Sequence, residues 1–202
     1  DTGMMMNSLL SACRKSGVKI LNGIAIKKFD SDLGCVQLLT DAGFEFSAKK
    51  LIITTNAFAA DLLPEIEVEP ARAQVLITSP IPDLKIKGCF HFDRGYYYFR
   101  NIDNRILFGG ARNTAFQEEA TASFGTTPSI QKKLEDILAN TILPNTDFTI
   151  ENRWSGIMGL GPKKGPIVKA ISQNVFCAVR MSGMGVAIGS QIGEDVAKLA
   201  NF

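Results

Sequence analysis

The residues best placed for chemistry lie near the end of the chain, in Arg180-Met181-Ser182-Gly183-Met184-Gly185. Ser182 falls between an apolar run and a helix-like run, where a hydrolase would put its nucleophile. Such an elbow needs glycine two residues before and two after the serine. Arg180 and Met184 stand there instead, and the chain has a single histidine, His91. A hydrolytic triad is excluded. The stretch Gly159-Leu160-Gly161-Pro162-Lys163-Lys164-Gly165 has glycines and lysines but no Gly-Lys-Ser/Thr run opening a helix. Gly183-Met184-Gly185 sits where a dinucleotide fingerprint would, yet Ile188 occupies the third glycine position. What the turn retains is simpler. Two glycines let backbone approach a ligand closely, and a helix start offers N–H donors and a partial positive charge to an anion. Spacing alone leaves open a plain Gly-rich connection between strand and helix.

Metal chemistry has little support. Cys13, Cys35, Cys89 and Cys177 are scattered, with no CxxC pair, so neither a zinc site nor a disulfide framework is expected. Reduced thiols in a cytoplasmic protein are the expectation. The net charge of +2 gives no broad case for nucleic acid or anionic membrane. Apolar residues make up 46% and charged residues 21%, an ordinary globular balance. No apolar run reaches the roughly 18 residues of a membrane span, and no signal or transit segment is read at the start. A chain opening on Asp1 is expected to be processed or excised.

These candidate residues need elements to position them. Asp1 to Ser16 reads as a helix capped by Asp1 or Thr2, with Met5, Leu9, Leu10 and Cys13 as its apolar stripe and Gly17 as its stop. Strands are predicted at Val18–Leu21, Ile24–Phe29, Cys35–Thr40 and Phe44–Ala48, with Asp41-Ala42-Gly43 as a turn. Leu51–Thr55 has the profile of a strand buried on both faces, and Asn56 could cap the helical turn Ala57–Leu63. From Pro70 the pattern becomes antiparallel: Gln74–Thr78, Cys89–Phe92, Tyr96–Phe99 and Ile106–Gly109, with Asp103-Asn104 turning the last pair. A helix follows, with Thr127 as cap, Pro128 at its first position and Ile130, Leu134, Ile137 and Leu138 as its stripe. Phe148–Trp154 is a strand leading into a Gly-rich turn over 156–165. Val175–Val179 is an apolar strand, and Val186–Ala200 a helix burying Ile188, Ile192, Val196 and Leu199.

Several of these segments, in this order, resemble the DAO family of FAD-dependent oxidoreductases, which includes D-amino-acid, glycine and sarcosine oxidases. The resemblance is carried by GVKI, the DAGFEF hairpin, LIITTNAFAADLLP, and Pro70-Ala71-Arg72-Ala73-Gln74-Val75. It continues through Tyr96–Arg100, Ile106–Gly110, Arg153–Ile157 and Ser182–Val186. It implies an α+β (mixed α/β) fragment: residues 1–68 from the middle of an FAD-binding domain, 69–154 a substrate-binding antiparallel sheet with a helix, and 155–202 a return to the first domain. The N-terminal GxGxxG unit of the family is absent from this sequence.

Carried over by position, the resemblance implies that Ala25 and Ile26 lie beside the adenine, and that Thr54, Thr55 and Asn56 line the FAD cleft. Ser182, Gly183, Met184, Gly185, Val186 and Ala187 would face the flavin ring. Tyr97, Arg100, Trp154 and Met158 would face a small amine or amino-acid substrate, Arg100 as a carboxylate clamp; the residues alone equally allow Arg100 as an exposed strand arginine, and favour the tyrosines as strand packing. No side chain is assigned as catalytic, because hydride passes from a carbon beside the amine nitrogen to the flavin. Isolated, such a fragment would bind FAD weakly and could pair with a second copy through exposed apolar surface. The pattern is broken at three places: Arg180 and Asn56 replace glycines, and 158–164 lacks a carboxylate-binding arginine. The alternative is a flavin-free binding or assembly module that keeps the family fold.

Overall fold

The computed structural model describes residues 2–31 and 34–201, so Asp1 as a helix cap lies outside the described residues. The chain forms two units, one from Asp1–Glu67 with Lys163–Phe202 and the other from Val68–Pro162.

In the first unit, α1 (Thr2–Lys15) ends as its sequence dictates: Gly17 turns left-handed at φ 80°, and the Val18 amide reaches back to the Cys13 carbonyl at 3.0 Å. That bond uses Val18, and residues 18–25 stay irregular, so the strand predicted at Val18–Leu21 does not form. The expected stripe of α1 buries nothing: Leu9 is 51% exposed, and no residue of the helix is buried. Strands β1 (Ile26–Asp30), β2 (Val36–Thr40) and β3 (Glu45–Ala48) form an antiparallel meander. The turn between β2 and β3 closes on Gly43 at φ 83°.

The second sheet of this unit has the order β10 (Ile167–Ala170), β11 (Val175–Val179), β4 (Leu51–Ile53), with β11 and β4 parallel. Strand β10 is not anticipated from its residues, and its burial fades along the strand towards Lys169 and Ala170. Only Ile53 of β4 is buried, because this strand is an edge of the sheet and not a central strand. Helix α3 (Gly185–Leu199) packs Ile192, Val196 and Ala200 on Phe176 and Ala178. Ala200, not Leu199, completes the stripe: it continues the four-residue step from Ile192 and Val196, which leaves Leu199 41% exposed. Lys50 closes the end of α3 by donating to the Ala200 carbonyl and, at 3.3 Å, to that of Asn201. A cation here satisfies orphan carbonyls and opposes the helix dipole. Lys50→Met is expected to cost about 1 kcal/mol in chemical unfolding; an unchanged midpoint would deny Lys50 this role.

The second unit is one antiparallel sheet in the order β6 (Cys89–Phe92), β7 (Tyr97–Ile102), β8 (Arg105–Gly110), β5 (Glu69–Thr78), β9 (Ile150–Leu160). Asp103 and Asn104 both take positive φ, 46° and 57°, the backbone that a two-residue hairpin turn requires. Helix α2 (Pro128–Ile137) covers one face, where Ile130, Leu134 and Leu138 meet Leu76, Ile106 and Phe108 in the core. Thr127 occupies the cap position, but its hydroxyl bonds Glu119 and not the helix amides. Of the Gly-rich turn expected over 156–165, only the second half forms, as bends over 162–165. Residues 156–160 continue β9 because every one of them pairs with β5, Gly156 with Ala73 and Gly159 with Pro70.

Candidate functional site

Parallel pairing brings the two candidate cofactor segments of the first unit to one edge. β4 and β11 run side by side, Ile53 opposite Cys177, so Thr54–Asn56 and Arg180–Gly185 both emerge at the carboxyl ends of adjacent parallel strands. In open α/β sheets this is where ligands collect. The contact is direct: the Met181 amide donates to Asn56 Oδ1 at 3.0 Å. Asn56 therefore does not cap the 3-10 turn Asn56–Asp61 as expected. Its own backbone is left-handed at φ 48°, and Thr55 precedes the turn without a side-chain cap.

The Arg180 and Asn56 departures from glycine are explained by the same geometry. Arg180 has φ 65° and Asn56 φ 48°, so the left-handed backbone that glycine would supply is present at each, and Ser182 shares it at φ 49°. Gly183 follows at φ 79°. Thr54, Thr55, Gly183, Met184, Val186 and Ala187 are exposed around the start of α3, whose first turn has no side-chain cap. The Met184 and Ala187 amides are taken by the Met181 and Met184 carbonyls, which leaves two threonine hydroxyls and the Gly185 and Val186 amides as a donor set suited to an anionic or hydrogen-bonding planar ligand. Ala25 and Ile26 stand apart from this edge. They belong to the meander, where the Ala25 carbonyl accepts from the Asp41 amide at 3.0 Å, and no sheet pairing links them to β4 or β11.

In the second unit, strand register decides which side chains share a face. Tyr97 is 5% exposed and faces α2 with Phe108, stacked on Phe92 at 4.9 Å. Arg100 lies three residues on, and a strand cannot put both on one side. Tyr97 thus separates from Arg100, Trp154 and Met158, while Tyr98 joins them. One row crosses the open face through His91, Tyr98, Gly109, Val75 and Trp154. Tyr98 and Trp154 are each 42% exposed, and the floor beyond them is small: Gly109, Ala73, Ala71 and Gly156. Tyr98 lies over Gly109, since a Cβ there would come within 2.7 Å of its ring. Desolvation pushes the phenols of both Tyr97 and Tyr98 up, for Tyr97 with the Asp93 carboxylate adding to it. Both stay neutral donors near pH 7. The parity of Tyr98 and Arg100, two residues apart, is the signal that would have found Tyr98.

Among the described residues no helix is long and apolar enough to cross a membrane, and no cluster of His, Cys, Asp or Glu could hold a metal ion.

Comparison with known proteins gives these surfaces a setting. The family model "FAD dependent oxidoreductase" (DAO) matches residues 1–199. A probable oxidoreductase, OrdL, of Haemophilus influenzae is 23% identical over 209 residues, covering 94% of this chain and 44% of that protein. Among solved structures, glycine oxidase from Geobacillus kaustophilus superposes with a TM-score of 0.78 at 18% identity, covering 94% of this chain and 51% of its own. L-proline dehydrogenase from P. horikoshii gives 0.74 at 21% identity, covering 92% and 51%. The chain spans about half the length of these relatives. With the family model matching nearly the whole chain and the mixed α/β fold matching its solved structures, this chain belongs to the DAO family of FAD-dependent oxidoreductases.

Proposed function

We propose that this chain is the C-terminal part of an oxidoreductase that oxidises the C–N bond of an amine or amino acid, with FAD as acceptor. The observation that carries the reading is the edge where β4 and β11 end side by side, with exposed threonines, a left-handed glycine turn and an uncapped helix start. FAD, when bound, would supply the hydride acceptor. The first unit's part is to hold and orient it. Thr54, Thr55 and Asn56 offer polar groups to the cleft, Ser182–Ala187 border the edge that gains negative charge, with the Gly185 and Val186 amides outside the turn's own hydrogen bonds, and Ala25 and Ile26 approach the adenine through main-chain groups.

The second unit presents the substrate face. Arg100 is the cationic clamp for a carboxylate, with Tyr98, Trp154 and Met158 around a floor of glycine and alanine that leaves room for a small molecule. Tyr97 supports that face from behind. No side chain of this chain need act as a base, because a neutral amine can release hydride without one. The relatives support the substrate class: glycine oxidase and L-proline dehydrogenase are named for amino acids, and amadoriase I from Aspergillus fumigatus for a fructosyl amine.

The test is the visible absorption spectrum of the protein expressed from its complete coding sequence, with this chain as control. Flavin bands in the long form alone are the expected result. No flavin in either form, even with FAD added, would overturn the enzyme reading in favour of a flavin-free binding or assembly module.

A further inference from the structure

Asn56 and Arg180, the two residues that replace family glycines beside the candidate cofactor edge, tie one turn to different segments of the chain. Left-handed backbone is tolerable for asparagine and uncommon for arginine, so φ 65° at Arg180 calls for something that enforces it. Arg180 is also only 5% exposed. A buried guanidinium is unfavourable unless its donors are met, and here they meet two specific carbonyls. Nε donates to Gly165 at 2.9 Å and Nη1 to Glu67 at 3.2 Å, with the Glu67 carboxylate at 3.7 Å. Glu67 is the last residue of the first unit before the chain leaves it, and Gly165 is the third after the chain returns. On the other side, Asn56 Oδ1 takes the Met181 amide at 3.0 Å.

We infer that Asn56 and Arg180 act together as a positioning clamp that ties the 180–185 turn to both crossing segments of the chain. The clamp presets the amides at the start of α3 before the flavin edge meets them. The inference rests on the flavin reading above, and Arg180 acts through the turn without touching the cofactor. Glycine at 180 would give the same φ with no anchor. Arginine gives it with two, so the turn has less disorder to lose on binding.

The test uses the full-length protein with Arg180→Gly, Asn56→Gly and the double variant, all of which permit positive φ without strain. The readouts are amide hydrogen exchange over 163–168 and 180–188, and the FAD dissociation constant from flavin fluorescence. Each single variant should speed exchange in both segments about tenfold and weaken FAD by a similar factor, the scale of one lost buried hydrogen bond. The double variant should be little worse than the worse single, since both anchors hold one turn. Arg180→Gly is the discriminating variant, its side chain being aimed at Glu67 and Gly165. Exchange equal to wild type in that variant, or fully additive effects in the double, would overturn the clamp. A loosened turn with FAD affinity unchanged would remove its cofactor role while leaving the flavin reading intact. A wild-type protein that takes up no FAD would instead overturn the flavin reading, and the clamp's purpose with it.

Discussion

Replacing Glu119 by alanine is expected to destabilise the protein by about 3–5 kcal/mol in urea unfolding, the usual cost of leaving a buried ion without its partner. Glu119 is 1% exposed and stands at the centre of a polar network on the α2 side of the sheet. Its two oxygens accept from Arg72 Nε at 3.0 Å and Nη2 at 2.9 Å, from Gln74 Nε2 at 2.8 Å and from the Thr127 hydroxyl at 2.5 Å. Alanine would leave Gln74 Nε2 and the Thr127 hydroxyl proton without their acceptor and take the carboxylate from the Arg72 guanidinium, which keeps only Thr127 Oγ1 and the Ser123 carbonyl. The segment before α2 would keep its direct bonds to β5, from Arg72 to Thr127 and Ser123 and from the Thr127 amide to Gln74, and lose the carboxylate at their centre. A loss below about 1 kcal/mol would mean that water replaces the carboxylate, and that the network holds nothing in place.

The same network sets a pH signature. Burial pushes the Glu119 carboxyl up. Hydrogen bonds from Arg72, Thr127 and Gln74, with the Arg72 charge, outweigh it and hold the group below the usual carboxylate range. A depressed folded pKa means stability that is present above the unfolded value of about 4.3 and lost as pH falls through the folded one. The gap between wild type and Glu119→Ala should therefore be full at pH 7 and narrow as acid is added below about pH 4.

None of this network could be read along the chain. The bonds that join its two halves span 45 to 57 residues, and Arg72, Gln74 and Glu119 look like ordinary polar positions until β5 and α2 pack together. Local signals did better. Thr127-Pro128 before a spaced apolar stripe marked the start of α2, Val175–Val179 was read residue for residue as β11, and Asp103-Asn104 marked its hairpin. The failures have a common cause, which is that the partner decides. Val18–Leu21, with two β-branched residues, pairs with no strand among the described residues, whereas Gly156–Leu160 looks like a turn and stays extended because β5 lies alongside. Three consecutive tyrosines carry no alternation, so register alone sends Tyr97 to the core and Tyr98 to the open face. The candidate cofactor edge was readable because it is built from local turns. That Asn56 and Met181 meet, 125 residues apart, needed the parallel pairing of β4 and β11.

Gly110→Ala should be the most damaging single methyl in the second unit. Gly110 closes β8 opposite Tyr97 at φ 133°, a region that is all but reserved for glycine. A Cβ there would lie 2.1 Å from the Tyr96 carbonyl oxygen and 2.8 Å from Tyr97 Cα. Both obstacles are backbone, so no rotamer change relieves them. Relief requires β7 and β8 to separate, at a cost of about 3 kcal/mol or more from strain and displaced packing together. Gly109→Ala is the control one residue away. Its Cβ would meet the side chains of Val75 at 2.5 Å and Tyr98 at 2.7 Å, and Tyr98 stands on the open face, where it can swing aside. That variant should lose about 1–2 kcal/mol, since the stiff Val75 side chain must also turn away, while displacing Tyr98 from the proposed substrate face. Denaturant unfolding of the two side by side separates the effects. If Gly110→Ala were as stable as Gly109→Ala, the Tyr96–Gly110 approach would not be what fixes the end of the hairpin.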